Sequence, residues 1–284
     1  MLRALILLLV CWTGSAAAQS LPEPPATTPA PAINPAIDPS SLSDAELLDL
    51  LARLEAQRRA EPRRVGLFGI PSGFTAPHGL GFAALSATNR RDRGRLGAWD
   101  ASLAFGFGLG DATRSIGVTP VIDITSVTPY HFGSSGKIGV KLSRHFALGT
   151  GWQGAASLDL QNLLTWGDSR VLDPGASLTL SALGTIGPNG TPLLLSAGYG
   201  SDVSDRGTRP GGYAGIGVGL SPRTGVSLGW YGDEAIAGVN YWPPGKRNVQ
   251  ISVGVGDMTN RVSGRRLLAS VSIAAPLKWL TNRP

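Results

Sequence analysis

Bulky apolar side chains alternate with small or polar ones over most of the sequence between Arg64 and Trp279. In the run 99–110, one set of alternate positions holds Trp99, Ala101, Leu103, Phe105, Phe107 and Leu109. The positions between them hold Asp100, Ser102, Ala104, Gly106, Gly108 and Gly110. The segments 214–220, 249–256 and 266–279 repeat this pattern. Because successive side chains of a strand point to opposite faces, a period of two predicts β-strands.

The length of these runs and the small residues on their second face favour a barrel over a soluble β-sandwich. Several runs reach about ten residues, which a tilted strand needs to cross a bilayer, whereas ordinary strands average about five or six. Glycine, serine and alanine fit a crowded lumen, whereas the outer face of a sandwich usually carries long charged side chains. Bacterial barrels use even strand numbers. We therefore predict an all-β fold, a transmembrane antiparallel up-and-down β-barrel of about 12 strands (10–14) over residues 64–280, with a short N-terminal helix.

One hairpin of the predicted barrel can be assigned a register. If the strands around the turn 129–136 pair so that residue numbers sum to 264, apolar residues oppose one another, for example Ile124 and Val140. The same register places Asp123 opposite Lys141 on the inner face, and a slip by one residue would oppose unlike faces. We therefore expect an ion pair between Asp123 and Lys141. The charged residues predicted to face the lumen are Asp123, Lys137, Lys141 and His145.

The first 61 residues do not alternate and divide into three predicted segments. Residues 1–18 have Arg3, a short apolar run and small residues at 16–18, the features of a cleavable signal peptide. Residues 19–40 form a Pro-rich linker. Residues 41–61 predict a periplasmic amphipathic helix, because Ser43 and Glu46 make a capping box. Its apolar stripe is formed by Leu47, Leu50, Leu51 and Leu54. The stripe must be covered, either by the helix's own domain or by a periplasmic protein that binds helix 43–60.

Composition supports an exported barrel and excludes several kinds of site. Gly makes up 39 of the 284 residues, roughly twice its usual share of about 7%. Charged residues make up only 15%, whereas an ordinary soluble domain has about 25%. The single cysteine, Cys11, lies in the predicted signal peptide, so the mature chain has no disulfide, thiolate metal site or cysteine nucleophile. The net charge of +6 comes from scattered arginines rather than a basic stripe. We therefore expect contact with outer-membrane lipid and lipopolysaccharide, and no nucleic acid.

Tryptophan and tyrosine cluster near the ends of the predicted strands, where amphipathic rings favour the headgroup level of a bilayer. The residues predicted to form this aromatic girdle are Trp99, Trp152, Trp166, Tyr199, Trp230, Tyr241, Trp242 and Trp279. The alternative is that these rings are ordinary core aromatics. Outer-membrane barrels typically finish on an aromatic residue that the barrel-insertion machinery reads, and Trp279 suits that role. We therefore expect the insertion machinery as a partner and the bacterial outer membrane as the location.

Two stretches carry a resemblance to a known family. The segment 66–79, Gly-Leu-Phe-Gly-Ile-Pro-Ser-Gly-Phe-Thr-Ala-Pro-His-Gly, resembles the first strand of the YjbH-like outer-membrane barrels. The segments 225–233, 236–243 and 248–258 are similar to the repeated arrangement of strand, acidic turn, strand and Pro-rich turn in the same family. The resemblance implies a barrel associated with exopolysaccharide export.

The sequence shows no motif for catalysis, a metal or a cofactor. The three histidines, His78, His131 and His145, lack metal-ligand spacing, and the carboxylates form no catalytic pair. The leading hypothesis is therefore a non-enzymatic outer-membrane barrel that assists envelope transport, passes polysaccharide or small solutes, or serves as a structural envelope component. Two alternatives remain. One is a barrel enzyme acting on lipid or peptide through groups near His131 or His145, and the other is a soluble periplasmic β-sandwich that binds a ligand.

Overall fold

The computed structural model describes residues 43, 47–49, 62–89, 99–246, 248–262 and 264–278. These residues contain thirteen strands and one short 3-10 helix, Gly167–Val171. The strands are β1 (Leu80–Asn89), β2 (Trp99–Phe107), β3 (Leu109–Gly110), β4 (Gly117–Ile124), β5 (Gly136–Gly149), β6 (Trp152–Trp166), β7 (Gly175–Ile186), β8 (Thr191–Ser204), β9 (Arg209–Gly219), β10 (Thr224–Tyr231), β11 (Glu234–Tyr241), β12 (Val249–Gly256) and β13 (Arg266–Pro276). Among these residues, no helix combines the length and apolar character needed to cross a membrane.

The strands form one antiparallel sheet that closes on itself. Strands β4 to β13 pair in chain order, and β1 pairs with β13 on one side and with β2 on the other. The sheet closes where β2 pairs with β4, from Leu103 opposite Ile124 to Gly106 opposite Val121. The two residues of β3 continue β2 along β4, so the wall has twelve strands and one short extra strand. The predicted barrel is therefore confirmed, and the alternative of a two-sheet sandwich is wrong.

The two faces of the sheet follow the alternation in the sequence. Large apolar side chains stand on the outside, where Leu180 is 57% and Leu228 is 54% exposed. Small and polar side chains point inwards, and Ser102 and Ser252 are each 2% exposed. Closing the sheet hides the inner face from solvent, which is why many buried positions of this protein are polar.

The barrel has two different ends, which we name by the strands that meet there. At the near end β1 begins and β13 finishes, with Leu80 opposite Pro276. Near-end connections include the segments 150–151, 187–190 and 220–223. Far-end connections include the longer segments 125–135, 167–174 and 257–265. This asymmetry of short turns and longer loops is usual in outer-membrane barrels, where the short turns are periplasmic.

The chain before β1 differs from the sequence-based prediction. Residues 66–79, expected to be the first strand, form no strand of the wall, and the strands begin at Leu80 rather than near Arg64. The reason is packing: this segment lies inside the barrel, where its backbone bonds to lumen side chains instead of to a neighbouring strand. Residues 47–49 are helical, and Leu47 N donates to Ser43 O at 2.9 Å. The other residues of the predicted helix, the linker and the signal peptide lie outside the described residues.

The register of the β4–β5 hairpin is shifted by four residues from the predicted one. Val118 lies opposite Leu142 and Asp123 opposite Lys137, so paired residue numbers sum to 260 rather than 264. The prediction centred the turn too late, because β4 already ends at Ile124. The backbone N–H of Thr125 then donates to Ser135 O at 3.0 Å. A shift by an even number preserves the faces, so the inward and outward residues were predicted correctly.

Candidate functional site

The lumen holds a segment of the protein's own chain, residues 62–79, which we call the strap. The strap enters at the near end, where Arg64 N donates to Ser221 O at 3.3 Å. It turns back in the interior around residues 69–73, with Gly69 at a φ of 73°. It returns to the near end, where Leu277 N donates to Gly79 O at 2.7 Å. The strap is therefore a loop inserted from one mouth, and both of its ends lie at that mouth.

Apolar side chains of the strap occupy space that lumen glycines leave open. Phe68 and Ile70 are almost completely buried. A Cβ at Gly238 of β11 would lie 2.5 Å from Cδ1 of Phe68. A Cβ at Gly229 of β10 would lie 2.5 Å from Cγ1 of Ile70. Since normal carbon contacts are about 3.5–4.0 Å, any larger residue at these glycines would displace the strap.

Lumen side chains also bind the backbone of the strap. Ser227 Oγ accepts a hydrogen bond from Phe68 N at 3.0 Å, and Ser181 Oγ accepts one from Gly73 N at 2.8 Å. Other lumen side chains donate to strap carbonyls: Ser196 to Pro71, Ser143 to Gly73, Asn240 to Gly66 and Lys141 to Ser72. Buried backbone groups need partners, and these side chains supply them in place of a strand ladder.

Two ion pairs lie in the lumen beside the tip of the strap. Lys137 Nζ is 4.0 Å from Asp123 Oδ2, and Lys141 Nζ is 3.6 Å from Asp159 Oδ1. The lysines and Asp123 are each 4% exposed. Asp123, Lys137 and Lys141 thus face the lumen as predicted, but the predicted pair Asp123–Lys141 is wrong because of the register shift. The partner of Lys141 is Asp159 on β6. The sequence did not predict this pair, because a register was assigned only to the hairpin formed by β4 and β5.

His145 lies on the inner face of β5, nearer the near end than the ion pairs. Its ring meets the ring of Phe74 edge-on, with centroids 5.1 Å apart. Its Nε2 has no hydrogen-bond partner within the described part of the chain. The fourth predicted lumen residue is therefore a packing partner of the strap, and it does not join the lysine–aspartate pairs.

A cavity of about 60 Å³ remains between the strap tip and the wall formed by β4 to β7. Its walls carry the four residues of the two ion pairs, together with Pro71, Thr119 and Asn162. Holding one water takes about 10–15 Å³ of such volume, so the cavity has room for a few waters. It is the part of the lumen that the strap leaves unfilled on the side of the far end.

A second charged cluster lies near the far end and was not predicted. Arg266 donates to Glu234 at 2.6 Å, and both side chains are buried. Asp257, at the start of the loop 257–265, accepts hydrogen bonds from the backbone N–H groups of Arg261 at 2.7 Å and Val262 at 2.9 Å. The sequence gives little signal for either contact, since Arg266 and Glu234 are 32 residues apart.

The predicted girdle residues occupy different environments. Trp99, Tyr199 and Tyr241 are exposed on the outer surface. Trp152 and Trp166 are half-buried, and their rings lie over glycines of neighbouring strands, Gly184 and Gly136 respectively. Trp230 is also half-buried, and the guanidinium of Arg261 lies 5.5 Å from its ring centre.

Two members of the predicted girdle stand apart from the outer surface. Trp242 is 8% exposed. Its ring is 3.5 Å from where a Cβ of the inward-facing Gly225 would lie, so a headgroup contact for Trp242 is wrong. Because Pro243 and Pro244 follow it, β11 ends at Tyr241 and the ring folds over the near mouth. Trp279 lies outside the described residues.

The described residues contain no group of three or more His, Cys, Asp or Glu side chains that could hold a metal ion. His131, the other histidine considered for catalysis, is exposed in the far-end loop 125–135. The chemistry that the lumen offers is therefore hydrogen bonding and paired charges around a buried strap.

No protein-family model matches the chain, and no curated protein is similar to it. Solved structures with a similar fold include a KdgM porin in complex with disordered oligogalacturonate, with a TM-score of 0.45, 10% identity and coverage of 68% of this chain and 98% of the porin. The outer membrane protein Omp33 of Acinetobacter baumannii has a TM-score of 0.41 and 9% identity, with coverage of 69% and 97%. The outer membrane phospholipase A of Escherichia coli has a TM-score of 0.41 and 12% identity, with coverage of 71% and 94%.

Proposed function

We propose that the protein is a non-enzymatic β-barrel of the bacterial outer membrane whose lumen is closed by the strap and passes small solutes when the strap leaves. The observation that carries the membrane assignment is the reversed distribution of polarity. Asn240 and Ser252 are buried in the interior, whereas Leu180 and Leu228 stand outside. A soluble monomer rarely exposes apolar patches beyond a few hundred Å². Hydrocarbon is the environment that accepts such a belt around a closed sheet.

Several sequence features support export to the outer membrane. The predicted signal peptide at 1–18 would deliver the chain to the periplasm, and the insertion machinery and lipopolysaccharide are the partners that a barrel meets there. Trp99, Tyr199 and Tyr241 are exposed on the outer surface, as expected of rings that contact headgroups. The predicted helix at 43–60 would remain on the periplasmic side, because the strap that follows it enters at the near end.

The contacts of the strap keep the lumen closed at rest. Burying a leucine, isoleucine or phenylalanine side chain contributes roughly 1.5–3 kcal/mol, and the strap buries Leu67, Phe68, Ile70 and Phe74. Each hydrogen bond to its backbone adds about 1 kcal/mol. The strap therefore stays in place until something on the periplasmic side withdraws it.

The path of the strap makes withdrawal possible. Both of its ends lie at the near end, so the loop can leave through that mouth without a chain terminus being threaded through the barrel. Once the strap is out, a lumen lined by glycine, serine and a few charges would be open to small solutes. The YjbH-like resemblance adds envelope export as the setting. If the strap never leaves, the protein is a structural component of the envelope.

The alternative of a barrel enzyme gains no support from the described residues. His145 packs against Phe74, and His131 is exposed in a loop. A general base must lie within hydrogen-bond reach of the group that it activates, and no assembled nucleophile and base of this kind is seen in the described segments.

The membrane assignment is tested by cell fractionation and by gel mobility of the full chain with and without boiling. A folded outer-membrane barrel migrates differently before heating and stays with the outer-membrane fraction. Recovery of the mature chain in the periplasmic fraction without detergent would show that the belt does not face lipid.

The role of the strap is tested by locking it with a disulfide. A Cβ at Gly73 would lie 3.3 Å from the Cβ of Ala155 on β6, close to the roughly 3.5–4.5 Å of real disulfides. It would also lie 2.7 Å from the Ala155 carbonyl oxygen, so the strap backbone must shift to accept the cysteine, and the single variant Gly73→Cys measures the effect of that shift. The double variant Gly73→Cys/Ala155→Cys should abolish channel openings in planar bilayers when oxidised and recover them with dithiothreitol. The two single variants are the controls, and Cys11 is removed with the signal peptide. Equal conductance of the oxidised and reduced double variant would refute the plug.

A further inference from the structure

The wall of the lumen cavity contains a β-bulge that places an asparagine over the cavity. In the β5–β6 pair the register shifts between Ile138, opposite Leu164, and Val140, opposite Leu160, so residues 161–163 face Gly139 alone. Asn162 takes a left-handed φ of 56° within this bulge. Its side chain is buried and lines the cavity. Bulges commonly redirect a side chain beside a binding site.

Two buried polar atoms at the cavity have no hydrogen-bond partner in the part of the chain that the structure describes. Asn162 Nδ2 donates to Asp173 O at 3.0 Å, but its Oδ1 has no hydrogen-bond partner among the described residues. The Oγ1 of Thr119, which is 98% buried, is likewise without a partner within the same residues. A buried polar group without a partner costs about 1–3 kcal/mol. These two atoms therefore favour a ligand that can both donate and accept a hydrogen bond.

The charged side chains that line the cavity balance. Lys137 is paired with Asp123, and Lys141 with Asp159. An anion would face two carboxylates, and a cation would face two ammonium groups. The cavity therefore has no net electrostatic attraction for an anion or for a cation. A neutral ligand meets donors and acceptors on all sides without bringing an uncompensated charge into the lumen.

We propose that this cavity binds the hydroxylated edge of a neutral solute, a sugar or polyol, through Thr119 Oγ1 and Asn162 Oδ1. A hydroxyl group donates and accepts at once, which matches an amide oxygen beside a threonine hydroxyl. The volume of about 60 Å³ admits a pair of adjacent hydroxyls, while the rest of the solute lies towards the far end. This proposal names the class of solute that the closed barrel receives, and it therefore rests on the proposed function.

The site also touches the strap, because Pro71 lines the same cavity. The neighbouring carbonyl of Ser72 accepts a hydrogen bond from Lys141. A solute held at Thr119 and Asn162 would therefore lie directly against the tip of the plug, on the side opposite to the near end.

The experiment measures glucose binding to the full chain in detergent by saturation-transfer NMR, with permethylated glucose as the probe that lacks hydroxyl donors. Thr119→Val should weaken glucose binding about tenfold, the factor that corresponds to loss of about 1.4 kcal/mol. Asn162→Gly, which tolerates the left-handed backbone, should weaken it similarly. Permethylated glucose should not bind to the wild type.

Thr75→Val is the matched control. Thr75 is also 2% exposed, and its Oγ1 also lacks a partner among the described residues, but it lies against Gly117 and outside the cavity. The control should keep wild-type binding. Folding of every variant is checked by heat-dependent gel mobility.

Three outcomes would overturn the proposal: no saturable binding at millimolar glucose, equal weakening by Thr119→Val and Thr75→Val, or tighter binding of glucuronate than of glucose. Because binding is measured in detergent without conduction, a failure here leaves the membrane and plug tests unaffected. Conversely, a barrel that binds glucose but never conducts would contradict the passage role alone.

Discussion

The contact between Gly215 of β9 and Ile70 of the strap offers a direct test of the strap's place inside the barrel. A Cβ at residue 215 would lie 2.9 Å from Cγ1 and 3.1 Å from Cγ2 of Ile70. Normal carbon contacts are about 3.5–4.0 Å, so the methyl group added by Gly215→Ala overlaps the isoleucine. Its three nearest neighbours all belong to Ile70, and overpacking of this kind costs about 1–3 kcal/mol.

The second perturbation removes the other partner of the contact. Ile70 is 0% exposed, and replacing such a side chain by alanine costs about 2–5 kcal/mol. In the variant Gly215→Ala/Ile70→Ala, the methyl group at residue 215 enters the space that the isoleucine has left. The double variant should therefore lose less free energy of unfolding than the two single losses together, by about 1–3 kcal/mol.

The assay is urea unfolding of the barrel folded into lipid vesicles, followed by tryptophan fluorescence. Gly212→Ala is the control on the same strand: a Cβ there has its nearest neighbours at 3.6 and 3.9 Å and touches no strap residue. Its effect reports the general consequence of replacing glycine in β9. If the losses from Gly215→Ala and Ile70→Ala are simply additive, the strap does not lie against β9 and the interior plug is wrong.

Three further predictions test the charges. Exchanging charge at one member of the pair, Asp123→Lys or Lys137→Asp, should lower the free energy of unfolding by about 3–5 kcal/mol, and the double exchange should restore most of it in the same urea assay. Hydrogen bonds from the Thr113 side chain and backbone hold the pKa of Asp111 below its ordinary value, so Thr113→Ala should raise that pKa in an NMR titration. Asp257→Asn should cost about 1–3 kcal/mol and speed hydrogen exchange in the loop 257–265.

Each of these has an outcome that contradicts it. A double exchange no more stable than the single ones would show that Asp123 and Lys137 do not pair. The hydrogen bonds to Asp111 are formed above its ordinary pKa and lost as the pH falls through the lowered one, so a titration above the ordinary value would contradict the turn geometry. Unchanged exchange at residues 261 and 262 would show that Asp257 does not hold the loop.

The strands and their faces could be predicted from the sequence because they depend on local information. Alternation of Leu103 and Phe105 with Ser102 and Ala104 assigns both the element and its two faces. Strand number followed from counting such runs. The sequence also predicted that paired residue numbers in β4 and β5 have an even sum, because only such a register places apolar residues opposite apolar ones. The shift itself depended on where β4 ends, and a few residues of loop leave no periodic signal.

The strap was misassigned because its conformation is set by contacts far away in sequence. Asn240 donates to Gly66 across 174 residues, and Ser227 accepts from Phe68 across 159. The local pattern gave no warning, because Phe68, Ile70 and Phe74 all fall at even positions, as they would on one face of a strand.

The cavity could not be foreseen for a related reason. Asp159 and Asn162 belong to β6. Asn162 turns inwards because it lies in a bulge, where three residues of β6 face Gly139 alone. One local signal was present: Asn162 falls at the parity of the outward Leu158 and Leu160, where a polar side chain interrupts the apolar positions. Pairing across strands, not composition, brings their side chains to the cavity that Lys141 and Thr119 also line.

The glycine content of this protein has a more specific cause than a narrow lumen. Gly215 and Gly229 lie against Ile70, and Gly238 and Gly254 against Phe68. A narrow but empty lumen would tolerate alanine or serine at these positions, as it does at Ser252 on β12. At these four positions the need for glycine arises because a strap side chain lies against the wall, whereas at Gly198 it is the wall residue Tyr213 that leaves no room for a Cβ. The inner-face glycines that meet a strap side chain therefore mark the path of the plug, and alanine substitutions should be costly along that path.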